Sequence, residues 1–206
     1  MTDDPAQPYR VVAGAAEAEL REKGSRFLAV VRSATDGATA QALVEERRAL
    51  HPDATHHCFA WRLGRPALER ASDAGEPAGT AGQPMLRALR GAELSDVAAV
   101  VSRWFGGTKL GKGGLARAYA DAVQAALREL PTAWRVPTIL VRVTAPFDRL
   151  GAVKALIRPP EVELVEESYA GSEPRLTLRV ALRSHPGLLE RLAPLGCRWS
   201  GDERAH

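Results

Sequence analysis

The segment Arg103-Trp104-Phe105-Gly106-Gly107-Thr108-Lys109-Leu110-Gly111-Lys112-Gly113-Gly114-Leu115 holds the residue types that point most directly to chemistry. Five glycines fall within nine residues, between an apolar run and a helical repeat. A strand–glycine loop–helix junction presents free backbone N–H groups at a helix N-terminus, which suits an anion, usually a phosphate. Gly106, Gly107, Gly111, Gly113 and Gly114 would supply the backbone, and Arg103, Lys109, Lys112 and Arg117 the charge. The same glycines also serve a turn and close packing, so both readings stand at this point. Two phosphate motifs are excluded. Gly106, Gly111 and Lys112 fit G-x-x-x-x-G-K, but Gly113 replaces the hydroxyl that ligates magnesium. Gly111, Gly113 and Ala116 fit G-x-G-x-x-A, yet they lie too far beyond the strand for a dinucleotide turn.

A second stretch, Ser72-Asp73-Ala74-Gly75-Glu76-Pro77-Ala78-Gly79-Thr80-Ala81-Gly82, places two carboxylates three residues apart. Asp73 and Glu76 could hold a metal or a cation, or Ser72 and Asp73 could build turns while Thr80 caps the next helix. No third ligand stands at a metal spacing, so no metal and no cofactor is expected. His57 and Cys58 are adjacent in an expected strand and point to opposite faces, which excludes a nucleophile–base pair. Trp104-Phe105, beside glycine and lysine, is the aromatic pair that could meet a base.

The elements that must position these residues follow from hydrophobic spacing. Tyr9 to Leu20 reads as a strand and Phe27 to Val31 as its hairpin partner across Lys23-Gly24-Ser25. Asp36 caps an expected helix to Leu50, and His56 to Leu63 returns to strand. Residues 68–82 read as a loop, 84–90 as a short helix and 96–105 as a buried strand. The glycine loop spans 106–114. Leu115, Tyr119, Val123, Ala126, Leu127 and Leu130 then mark a helix, with Arg117, Asp121, Gln124 and Arg128 opposite. The stretch 131–137, with proline at both ends, reads as a linker. Beyond it come a strand (138–144), a helix (147–157), a hairpin around Gly171 (162–169 with 176–182), a helix capped by Ser184 and a last strand near Cys197–Ser200. That order, β-α-β-β-α-β, is ferredoxin-like. The expected domains are therefore 1–131, a linker at 132–137, and 138–206.

Composition sets the class. The 206 residues are 45% hydrophobic and 26% charged, as in a globular protein. No apolar run reaches membrane-spanning length, and the acidic polar start does not read as a secretory signal. Two isolated cysteines fit neither a disulfide framework nor a zinc site and point to the cytoplasm. The net charge is only +3, so a nucleic-acid surface would have to come from local clustering.

Four segments together resemble the IMPACT/YigZ family. They are Lys23–Ala29, His57–Ala60, Ser72–Leu86 and Arg103–Tyr119. The likeness runs from about residue 9 to 130, and the tail is similar to the smaller C-terminal domain of bacterial members. The resemblance implies an α+β protein: an N-terminal domain like domain 2 of ribosomal protein S5, then a ferredoxin-like domain similar to domain V of elongation factor G. It implies a translation-linked regulator that binds RNA or the ribosome, with a protein partner in translation control as an alternative. It carries over no catalytic residue. The remaining alternative is an enzyme or binding protein for a phosphorylated small molecule or nucleotide, with Asp73 and Glu76 as its acids. The family has a second acid after the first in the Ser-Asp loop, and here that position is Ala74.

Overall fold

The computed structural model describes residues 4–170 and 173–205. The chain divides into two compact units, one of Tyr9–Arg135 and one that runs from Val136 onward and takes in Asp4–Pro8. The first contains β1 (Tyr9–Val12), β2 (Ala15–Glu22), β3 (Ser25–Ser33), α1 (Gly37–Leu50), β4 (His56–Leu63), β5 (Leu68–Ser72), α2 (Gly82–Gly91), β6 (Leu94–Ser95), β7 (Val97–Trp104), α3 (Gly111–Arg128) and β8 (Thr132–Arg135).

Five of these strands form an antiparallel sheet in the order β2-β3-β7-β4-β5. The central strand β7 is buried along nearly its whole length, and Val97–Val101 within it form an unbroken apolar run. Alternate residues serve opposite faces. Ala98 and Val100 join Val30, Phe59, Trp61, Leu43 and Val44 under α1. Val97, Ala99 and Val101 join Phe27, Cys58, Met85, Leu89, Tyr119 and Val123 under α2 and α3. Asp36 caps α1 as expected, accepting the Thr39 N–H at 2.7 Å.

Several expectations need correction. Residues 9–20 are not one strand. The chain breaks after Val12, where the Ala13 N–H donates to the Pro131 carbonyl, and β1 enters a separate sheet of order β6-β1-β8. Residues 132–135 are not a linker but strand β8, antiparallel to β1. Arg135 and the Tyr9 hydroxyl both bond Asp96, which ties that sheet down. The prolines at 131 and 137 stand just outside β8, where a missing N–H costs no ladder bond. Residues 68–72 are edge strand β5, paired with β4. Finally, α3 begins at Gly111, so the glycine loop proper is 105–110, and Gly111, Lys112, Gly113 and Gly114 form the first helical turn.

The second unit contains β9 (Thr138–Thr144), a 3₁₀ turn (Phe147–Arg149) leading into α4 (Leu150–Lys154), β10 (Val162–Ala170), β11 (Glu173–Ala181), α5 (His185–Leu192) and β12 (Arg198–Ala205). Its sheet is antiparallel, in the order β10-β11-β9-β12. Ile139, Val141 and Val143 alternate inward along β9 and pack with Leu176, Leu178, Val180, Val153, Leu188 and Leu192. The expected turn at Gly171 lies outside the described residues. Ser184 precedes α5, but its hydroxyl donates to Glu161 and caps no helix N–H. No helix among the described residues is long and apolar enough to cross a membrane.

Candidate nucleic-acid interface

Three connections meet at one end of the five-stranded sheet: the β2–β3 turn at Lys23-Gly24, the 73–81 segment before α2, and the 105–110 loop before α3. Register brings their strands together. Arg103 of β7 stands opposite Phe27 on one side and His56 on the other. The 105–110 loop lies directly on the β2–β3 turn. A Cβ placed on Gly106 would fall 1.8 Å from the Gly24 carbonyl carbon, so only glycine fits there. The Gly106 N–H also donates to Ser25 Oγ at 3.2 Å.

The outward side of this junction is cationic. Lys23, Lys109 and Lys112 are exposed and make no ion pair among the described residues. They are three of the four lysines in the chain. The first turn of α3 has neither a side-chain cap nor an acid, so its N–H groups keep their capacity for an anion. Phe105 is 49% exposed beside them. Trp104 is already occupied: its Nε1–H donates to Asp53 at 2.7 Å, and Arg26 covers its ring at 4.4 Å. Of the aromatic pair singled out in the sequence, Phe105 is the more exposed, with the Arg103 guanidinium toward one side of its ring.

The inward side is a buried polar network. Arg103, only 5% exposed, is not a surface cation. It donates to Glu76 Oε1 at 2.5 Å and to Ser25 Oγ at 3.2 Å. Its guanidinium lies 5.3 Å from the Phe27 ring and 5.6 Å from that of Phe105. Tyr119 donates its hydroxyl proton to the same Glu76 oxygen at 2.8 Å. Arg103 thus holds the two glycine-rich segments together from behind, and Glu76 is its counter-ion.

Asp73 faces elsewhere. It accepts the N–H groups of Gly79, Ala81 and Gly82 at 2.8, 2.9 and 2.9 Å, capping α2. Burial opposes its ionisation, but these three bonds outweigh burial and hold the carboxyl below the usual carboxylate range. Thr80, the expected cap, instead donates to the Pro77 carbonyl at 2.6 Å. Ser72 Oγ accepts the Ala74 N–H at 3.3 Å. The two acids therefore do not converge, and among the described residues no group of three or more His, Cys, Asp or Glu could hold a metal.

Nucleophilic chemistry has no outlet here. Cys58 is buried, and burial pushes its thiol up to about 12, so it stays protonated. It donates to the Asp73 carbonyl at 2.9 Å. His57 points to the α1 side and hydrogen-bonds Ser102 Oγ at 2.9 Å. Burial lowers its pKa, which favours the neutral ring. Arg117 is exposed, one turn further along α3, beside a groove between α2 and α3. Sequence reasoning missed Lys23 as a site residue. The lysine–glycine turn was the available signal, but its distance along the chain from Lys109 hid the partnership.

Residues 23–127 match the Impact N-terminal domain family, a span that includes all three connections. The chain is 40% identical over 182 residues to the Escherichia coli IMPACT family member YigZ, covering 86% of this chain and 84% of that one. It is 36% identical over 163 residues to YvyE of Bacillus subtilis, covering 79% and 75%. A crystal structure of a hypothetical protein superposes with a TM-score of 0.70 at 32% identity, covering 96% of this chain and 98% of that one. This chain belongs to the IMPACT family.

Proposed function

We propose that this protein is a cytoplasmic, translation-linked regulator that binds RNA or the ribosome without catalysing a reaction. The observation that carries the proposal is the exposed cationic junction: Lys23, Lys109 and Lys112, with the open first turn of α3 for phosphates and Phe105 for a base. Arg103 and Glu76 position the loops and do not touch the RNA. The first unit is read as similar to domain 2 of ribosomal protein S5. The second is read as ferredoxin-like, a reading supported by its antiparallel β10-β11-β9-β12 order. The reading as an enzyme on a phosphorylated small molecule needs a free acid, and both Asp73 and Glu76 are committed to bonds within the protein. A protein partner in translation control remains compatible with the junction as a neighbouring contact.

Fluorescence anisotropy with a labelled single-stranded RNA, titrated in steps of salt, tests the site. Each lost phosphate contact should reduce the slope of log affinity against log salt by about 0.7. Lys109→Glu with Lys112→Glu should weaken binding on every RNA sequence tried. Equal affinity in wild type and double variant would remove the site from this loop.

A further inference from the structure

On the side of α2 and α3 turned away from the sheet, the two helices leave an open groove of about 660 Å³. Its apolar lining is mostly small: Ala88 and Gly91 of α2 and Ala92 just past its end, with Ala116 and Ala120 of α3, alongside Pro84 and Leu127. Its rim is cationic. Arg87, Arg117 and Arg128 are exposed and make no ion pair among the described residues, and Asp121 is the one carboxylate among the lining residues. Arg117, Asp121, Gln124 and Arg128 follow helical spacing, so they line the groove along most of α3.

We propose that this groove seats an α-helix of a partner protein, one whose apolar stripe is flanked by Asp and Glu. The lining suits the occupant, because packed helices lie about 8–10 Å apart and small contact residues favour the short end of that range. The charge suits it too, because an unpaired guanidinium fork binds a carboxylate through two parallel hydrogen bonds. RNA fits less well. Single-stranded RNA is held by aromatic stacking, and no lining residue is aromatic. A second copy of this chain fits less well again. Its α1 carries Arg47 and Arg48 directly after Glu45 and Glu46, and its α5 sets Arg191 beside Glu190, so neither offers an acidic flank. The groove reading is independent of the lysine junction.

The test places the photoreactive residue p-benzoylphenylalanine at Gln124, with Ala42 on α1 as the control position, in cells that make the full chain. Illumination should link position 124 to a peptide that forms a helix with acids on both sides of an apolar stripe. The yield should fall at least tenfold when Arg87→Glu and Arg128→Glu are added, with the melting temperature unchanged. Links to RNA, to this chain or to a basic segment would overturn the proposal. So would a yield from position 124 no higher than from position 42, or one that the charge reversals leave unmoved.

Discussion

Arg103 and Glu76 make an ion pair almost closed to solvent, with side chains 6% and 3% exposed. Removing one partner of such a pair strands the other charge, which costs about 3–5 kcal/mol. Arg103→Met should therefore lower the unfolding free energy by about that amount in urea titrations. Adding Glu76→Gln should cost less than the sum of the two single changes, because the stranded charge is then gone. Asp73 gives a second prediction, through pH. Its folded-state pKa lies below the unfolded value, so its contribution is complete above an unfolded pKa of about 3.9 and is lost as pH falls through the lower folded value. Asp73→Ala should cost about 1–2 kcal/mol at neutral pH, as loss of a helix cap does. It should also flatten the fall of stability on the acid side. At this scale the sequence is a partial guide. The motif containing Arg103 was legible, but charge alone does not tell which cation faces water. Glu76, itself fixed by the Tyr119 hydroxyl, and Ser25 of β3 hold Arg103 inward, and those are tertiary facts.

The elements were legible where a period was strong. The buried run 97–104, the Asp36-capped α1 and the apolar stripe of α3 follow from residue spacing, and so does the β-α-β-β-α-β order of the second unit. The elements that escaped lack a period. β1 and β8 have four residues each and draw their stability from pairing with each other. β5 is an edge strand rich in polar residues. The pairing of β8 makes a prediction about the unit's boundary. A fragment ending at Pro131 loses the antiparallel partner of β1 and the Arg135 bond to Asp96. It should unfold at a lower urea concentration than one ending at Arg135, its unfolding free energy smaller by a few kcal/mol at about 0.5–1.5 kcal/mol per net hydrogen bond. Equal midpoints would mean that β8 adds nothing to the unit.

For the molecule as a whole, bulk charge says little, because a net +3 is spread over a chain of mixed sign. The fold gives the charge a place: hairpin and loop are clamped at Gly24 and Gly106, and three lysines otherwise separated in sequence come to one end of one sheet. The central claim is that this junction engages the translation machinery. The most direct measurement is co-sedimentation of the full chain with ribosomes and separated subunits, at low and raised salt, with and without nuclease. A variant with Lys23, Lys109 and Lys112 all changed to Glu is run beside it. The account predicts retention of the wild type at low salt, its loss as salt rises, and no retention of the triple variant with an unchanged melting temperature. Retention of both proteins alike, or of neither under any condition, would contradict it.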